Sequence, residues 1–153
     1  MRYFGLPMVA VFLAIIGLNS SCMKCGEKAS EKIAEGIAEK ATGGKAKVDV
    51  GSVDISALPA NLRYPNAVAK MKWEITGDKG SGTAWTFETK DPRGNVVQFY
   101  KNALANWKQS AIAETPKSTS MVIVAPDEKE TVMIMVSDEG DKTVFHITHS
   151  QGQ

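Results

Sequence analysis

From Ala69 to Ile75 the chain alternates apolar and charged side chains without a break: Ala69, Met71, Trp73 and Ile75 against Lys70, Lys72 and Glu74. A two-residue period cannot make the stripe of a helix, whose side chains return to one face every 3.6 residues, so the segment is committed to a β-strand with one buried face. A lone strand is not stable, and the rest of the chain must supply its partners. The sequence TAWTFET, residues 83–89, does so and places Trp85 and Phe87 on one side. Three further strands are expected at roughly 120–125, 131–137 and 143–148, joined by PDEKE and SDEGDK, linkers short enough for antiparallel hairpins. TVMIMVS, residues 131–137, is apolar on both faces and belongs in the middle of a sheet.

Between the two groups of strands, Asp91-Pro92 supplies an N-cap and a proline for the first helical position. A helix to about Trp107 would bury Val96, Phe99, Tyr100, Ala103, Leu104 and Trp107 along one face, with Gly94 weakening its first turn. Upstream, KVDVGSVDIS, residues 47–56, has a Gly51-Ser52 turn that would pair Val50 with Val53 and Val48 with Ile55 in a hairpin, opposing Asp49 to Asp54. The expected body, residues 46–150, is thus a single α+β domain: a two-layer sandwich of order ββαβββ, with one long amphipathic helix across an antiparallel sheet.

Residues 1–21 have another character. Arg2 forms a short positive start, Phe4 to Leu18 an apolar run interrupted by Pro7, and Ser20 and Ser21 precede Cys22. The run is shorter than the roughly 20 apolar residues of a membrane span and has the layout of a cleaved signal peptide. Without those 21 residues the chain carries 17 basic and 17 acidic side chains. A balanced charge argues against a nucleic-acid partner, since phosphate neutralisation needs a basic surplus.

Cys22 and Cys25 are the chain's two cysteines. A thioredoxin-like pair follows a buried strand, which is absent here, and a closed zinc site needs four ligands while His146 and His149 lie at the far end of the chain. The residues 18–22, Leu-Asn-Ser-Ser-Cys, resemble the bacterial lipoprotein signal, in which a small residue precedes the cysteine that is acylated and becomes the mature N-terminus. Asn19 departs from the motif, which prefers leucine there. The resemblance implies lipidation of Cys22, membrane attachment through N-terminal acyl groups, and, because Met23 is not the aspartate of inner-membrane retention, residence at the outer membrane facing the periplasm. Stable attachment takes more than one acyl chain, which such a cysteine carries. A tether over residues 22–45 follows, helical through EKASEKIAEGIAEKA (27–41), with a thin stripe of Ile33, Ile37 and alanines and a stop at Thr42-Gly43-Gly44.

Candidates for chemistry do not converge. His146 and His149, three apart on a strand, project to opposite faces. Residues 138–141, DEGD, lack the twelve-residue calcium-loop pattern. GDKGSG, residues 77–82, lacks the Lys-Ser/Thr of a phosphate loop and reads as a turn. Met71, Met121, Met133 and Met135 raise copper(I), which thioethers select, against the commoner role of methionine as core filler. No catalytic residue, metal ligand or cofactor is assigned. Trp73, Trp85 and Tyr100 are candidate lining for a pocket between helix and sheet, with core packing as the plainer account. Residues 62–107, from LRYPNAVAKMKW to TKDPRGNVVQFYKNALANW, are loosely similar to small uncharacterised bacterial lipoproteins, a likeness that implies architecture and no activity. The expected function is a lipid-anchored, non-enzymatic envelope protein that binds a partner or serves structure. A periplasmic carrier of a small molecule or metal is the alternative, ahead of a membrane-tethered thiol redox protein.

Overall fold

The computed structural model describes residues 45–51, 53–77 and 80–151. The signal segment, Cys22, Cys25 and the expected tether helix lie outside the described residues. Seven strands form one antiparallel sheet: β1 (Lys45–Val50), β2 (Val68–Gly77), β3 (Gly80–Thr89), β4 (Lys108–Glu114), β5 (Ser118–Val124), β6 (Glu130–Glu139) and β7 (Lys142–Gln151). Their lateral order is β1-β2-β3-β7-β6-β5-β4. Two meanders, β1 to β3 and β4 to β7, meet where β3 pairs with β7. Helix α1 (Arg93–Ala103) carries the chain from β3 to the far edge, where β4 begins.

This overturns the α+β sandwich expected from the sequence. The described residues hold seven strands, one 11-residue helix and a 3-10 turn at Ala60–Leu62, a mainly β architecture of order βββαββββ. The helix stops at Ala103 because Ala105 N bonds Asn102 O and Trp107 N bonds Leu104 O, which turns the chain; Trp107 reaches the core from that turn. β4 follows at once. Its sequence KQSAIAE is exposed along its whole length, so no apolar alternation marked it as a strand. Nor does the hairpin over 47–56 form. β1 pairs instead with β2, matching Val48 to Trp73 and Val50 to Met71 over six residue pairs, where the local hairpin offered three. Asp54, freed from any ladder, bonds Ser56 N and Ser56 Oγ, both at 2.8 Å.

β6 is interior, between β5 and β7, as its two apolar faces require. Where SDEGDK reads as a linker, the ladder runs on to Glu139 opposite Lys142, leaving a two-residue turn with Gly140 at φ 70°. That conformation is one glycine adopts without strain.

The core fills one face of the sheet. Trp85, Phe87, Met121, Ile123, Val132, Ile134, Val136, Phe145 and Ile147 from the strands pack with Val96, Val97, Tyr100 and Leu104 of α1 and with Leu58 and Leu62. Each large apolar side chain so buried contributes about 1.5–3 kcal/mol. Rings make its centre: Phe87 stacks on Phe145 at 5.1 Å, and Tyr64 meets Phe99 edge-on at 5.0 Å. The Tyr100 hydroxyl, fully buried, donates to Leu62 O at 3.1 Å and ties the helix to the 3-10 turn. Arg93 anchors the helix start, donating to Thr115 O and Pro116 O, both at 3.1 Å, and pairing with Asp138 at 3.1 Å. Pro92 caps without a side-chain bond, while Asp91 accepts from the Tyr64 hydroxyl at 2.9 Å.

Candidate functional site

The alternation on β2 resolves unexpectedly. A bulge between Ala69 and Met71 reverses the facing of the strand, so Ala69 pairs with Phe87 on the helix-bearing face while Met71, Trp73 and Ile75 lie on the opposite one. Lys72, in register with Trp85, therefore sits on the core face and is 6% exposed, its ammonium held by Glu74 at 2.6 Å. A charged residue takes a core-side position because its stem covers apolar surface while its head is paired. An extra residue in one strand has this effect because strand side chains alternate.

The opposite face carries two cross-strand rows. One runs Val50, Met71, Thr86, His146, Met135 and Ser120; the next runs Val48, Trp73, Ala84, Thr148, Met133 and Val122. Neighbours in a row stand about 4.8 Å apart. The one helix among the described residues packs on the other face. On this face Met71, Trp73, Val122, Met133 and Met135 are apolar and half-buried, and Val48, Ile75, Val144 and Thr148 are buried, where a sheet with one wet face would turn polar residues outward. Trp73 Nε1 donates to Met71 Sδ.

Thr86 Oγ1 lies 2.9 Å from His146 Nδ1, and this is the side-chain hydrogen bond His146 makes. Burial pushes the imidazole below its ordinary value of 6.5, which keeps it neutral. Glu88 lies diagonally from it and is held elsewhere, by Lys142 Nζ at 2.7 Å and Lys70 Nζ at 3.4 Å. The bond from Lys142 lowers the Glu88 carboxyl, and the same bond raises Lys142. A hydroxyl beside an imidazole is the start of a nucleophile and base pair, but among the described residues no carboxylate is bonded behind the ring to orient it.

The histidines do part to opposite faces: His149 meets Glu130 at 3.2 Å on the helix-bearing side. The methionines part too. Met121 is fully buried in the core, while Met71, Met133 and Met135 share the other face. Trp73, Trp85 and Tyr100 do not line one cavity, since Trp85 and Tyr100 lie within the packed core and Trp73 is across the sheet. Trp85 Nε1 is buried without a partner, an omission that costs about 1–3 kcal/mol. Among the described residues no three of His, Cys, Asp and Glu are grouped to hold a metal, and no helix is long and apolar enough to cross a membrane. The sequence singled out Met133 and Met135 but missed the row that sets Met135 opposite His146 and His146 opposite Thr86, which only the strand order β3-β7-β6 creates.

The fold and this face define a class: a mainly β sheet domain with α1 packed on one face and a methionine-rich opposite face. No protein-family model matches the chain, and no curated protein matches it.

Proposed function

We propose that this chain is a lipid-anchored protein of the bacterial cell envelope, attached through acyl groups on Cys22 at the outer membrane and facing the periplasm, and that its body binds rather than catalyses. The observation that carries the binding role is the apolar, half-buried surface of Met71, Trp73, Val122, Met133 and Met135 on the sheet face opposite α1. The signal-like run before Cys22 carries the anchor. The carboxylates and cations of the body support the non-enzymatic reading, because Glu88, Glu74, Asp138 and Glu130 are spent in ion pairs with Lys142, Lys72, Arg93 and His149. The carrier reading, first drawn around a pocket between helix and sheet, moves with Trp73 to the face opposite α1.

Intact mass of the protein taken from its own membranes tests the anchor. A chain beginning at Cys22 with added acyl mass, absent in Cys22→Ala, is expected; an unmodified Cys22 ends the lipoprotein reading. For the face, an anilinonaphthalene dye should bind the native chain and lose its binding in Trp73→Ser and Met135→Gln with the fold intact. Dye binding untouched by both changes would remove the face from the proposal.

A further inference from the structure

The methionines at 133 and 135 face away from the helix-side core that the other residues of β6 enter. β6 turns Val132, Ile134 and Val136 into the core, all fully buried and β-branched as sheets favour, and turns Met133 and Met135 to the face without the helix. Both are half-buried there, beside Thr148 and Val144 of β7, which are buried on the same face. Across the ladder from Met135, in direct register on β7, stands His146. Cβ atoms so opposed lie about 4.5–5.5 Å apart, and Met133, diagonal to His146, is about 7–8 Å away, within reach of long side chains. Two thioethers and an imidazole thus stand at three corners of a small triangle.

We propose that His146, Met135 and Met133 form a binding site for a soft monovalent cation, copper(I) in class, on this face. Thioether sulfur with imidazole nitrogen suits Cu(I), whereas zinc and calcium want thiolate, carboxylate or several oxygens, which the triangle lacks. Metal-bound histidines are held by a partner on the second nitrogen, and Thr86 Oγ1 is already in place 2.9 Å from Nδ1. A cation on Nε2 selects the tautomer with its proton on Nδ1, for which the Thr86 oxygen is the acceptor. Met71, on the same row beyond Thr86, takes the Trp73 indole N–H and stands outside the set. The site deepens the binding reading of this face and rests on it, but needs no lipid anchor.

The test is titration of the full chain with Cu(I) under anaerobic conditions against a chromophoric chelator, with Cys22 and Cys25 alkylated so that no thiolate competes. Methionine methyl resonances are followed in parallel with Ag(I), which shares the closed d shell. One equivalent should bind, shifting the Met133 and Met135 methyls and leaving Met121 unmoved. Thr86→Val should weaken binding by about 10- to 100-fold as loss of the orienting partner. His146→Gln and Met135→Leu should weaken it more, while His149→Gln should leave it unchanged. Because Met→Leu keeps side-chain volume, Met133→Leu and Met135→Leu remain folded comparisons. Absence of one-equivalent binding, or binding equal in the native chain and both leucine variants, overturns the metal site. Dye binding at Trp73 would in that case still stand or fall by itself.

Discussion

Removing the Tyr100 hydroxyl isolates one interaction that joins helix to loop. Tyr100 is fully buried, its oxygen donates to Leu62 O at 3.1 Å, and Leu62 is itself 1% exposed, so water cannot replace the lost donor. Tyr100→Phe keeps the ring and its contacts with Phe99 at 5.1 Å and Phe145 at 6.0 Å, and therefore leaves no cavity of note. The loss is a hydrogen bond worth about 0.5–1.5 kcal/mol net, plus part of the roughly 1–3 kcal/mol of a stranded buried carbonyl. A destabilisation of about 1–2 kcal/mol follows, a Tm lowered by roughly 4–8 °C for each kcal/mol in a domain near this size. Urea unfolding followed by far-ultraviolet circular dichroism measures it, with an unchanged m-value showing that the denatured state is not altered. Tyr64→Phe is the internal comparison. Its hydroxyl, pushed up to about 12 by burial and by its bond to Asp91, is only half-buried, and water can take over at the carboxylate. It should cost no more than about 1 kcal/mol. A Tyr100→Phe loss smaller than that of Tyr64→Phe would refute the claim that this bond locks α1 to the 3-10 turn.

Leu58, fully buried beneath the 53–62 segment, should cost about 2–5 kcal/mol as Leu58→Ala in the same urea assay. Two glycines with open space around them should move in opposite directions: Gly140→Ala, at φ 70°, loses roughly 1 kcal/mol to left-handed strain, whereas Gly94→Ala in the first turn of α1 gains about 0.5–1 kcal/mol. His146 gives stability a pH dependence. Its folded value lies below 6.5 because the ring is buried, so the unfolded chain binds the proton first; stability is full above 6.5, falls as pH drops from there to the folded value, and is flat in this component below it. His146→Gln should remove that slope from a series of melts, and a slope that survives the change assigns it to another group. Glu88 acts in a lower window: its carboxyl is held down chiefly by Lys142 and also by Lys70, so its contribution is present above 4.5 and is lost as pH falls through its folded value, a component Lys142→Met should shrink and Lys142→Met with Lys70→Met should remove.

What the sequence made legible was whatever one strand or helix could declare by itself. The two-residue period marked β2, the run apolar on both faces marked β6 as interior, strands were also legible near 83–89, 120–125 and 143–148, and the apolar stripe Val96, Tyr100 and Leu104 marked the helix. β4 was silent because an exposed edge strand of Lys, Gln, Ala and Glu has no buried face to write an alternation. The hairpin at 47–56 failed because a local turn signal competed with a longer ladder to β2, and the ladder buries Val48 against Trp73 where the hairpin would have set Asp49 against Asp54. Neither partner's identity is a local property of residues 47–56.

The face of β2 was misassigned for the same kind of reason, and here the error bears on function. One residue of bulge between Ala69 and Met71 sends Trp73 away from Trp85 and Tyr100, so a set chosen as pocket lining is divided by the sheet. The same alternation, read on β6, sends Met133 and Met135 toward the side where Trp73 and His146 emerge. Apolar residues spaced two apart announce a shared face, but they cannot say whether that face will meet a helix. That depends on where α1 crosses, and α1 is held over β6 by Arg93 at the β4–β5 turn and by Tyr100 at Leu62, contacts 22 and 38 residues distant in sequence. Which face meets α1 is thus a consequence of how the helix is tethered. Changes that loosen those tethers act on stability, whereas changes at Trp73, Met133, Met135 and His146 leave the helix-side core in place and act on what the other face can bind.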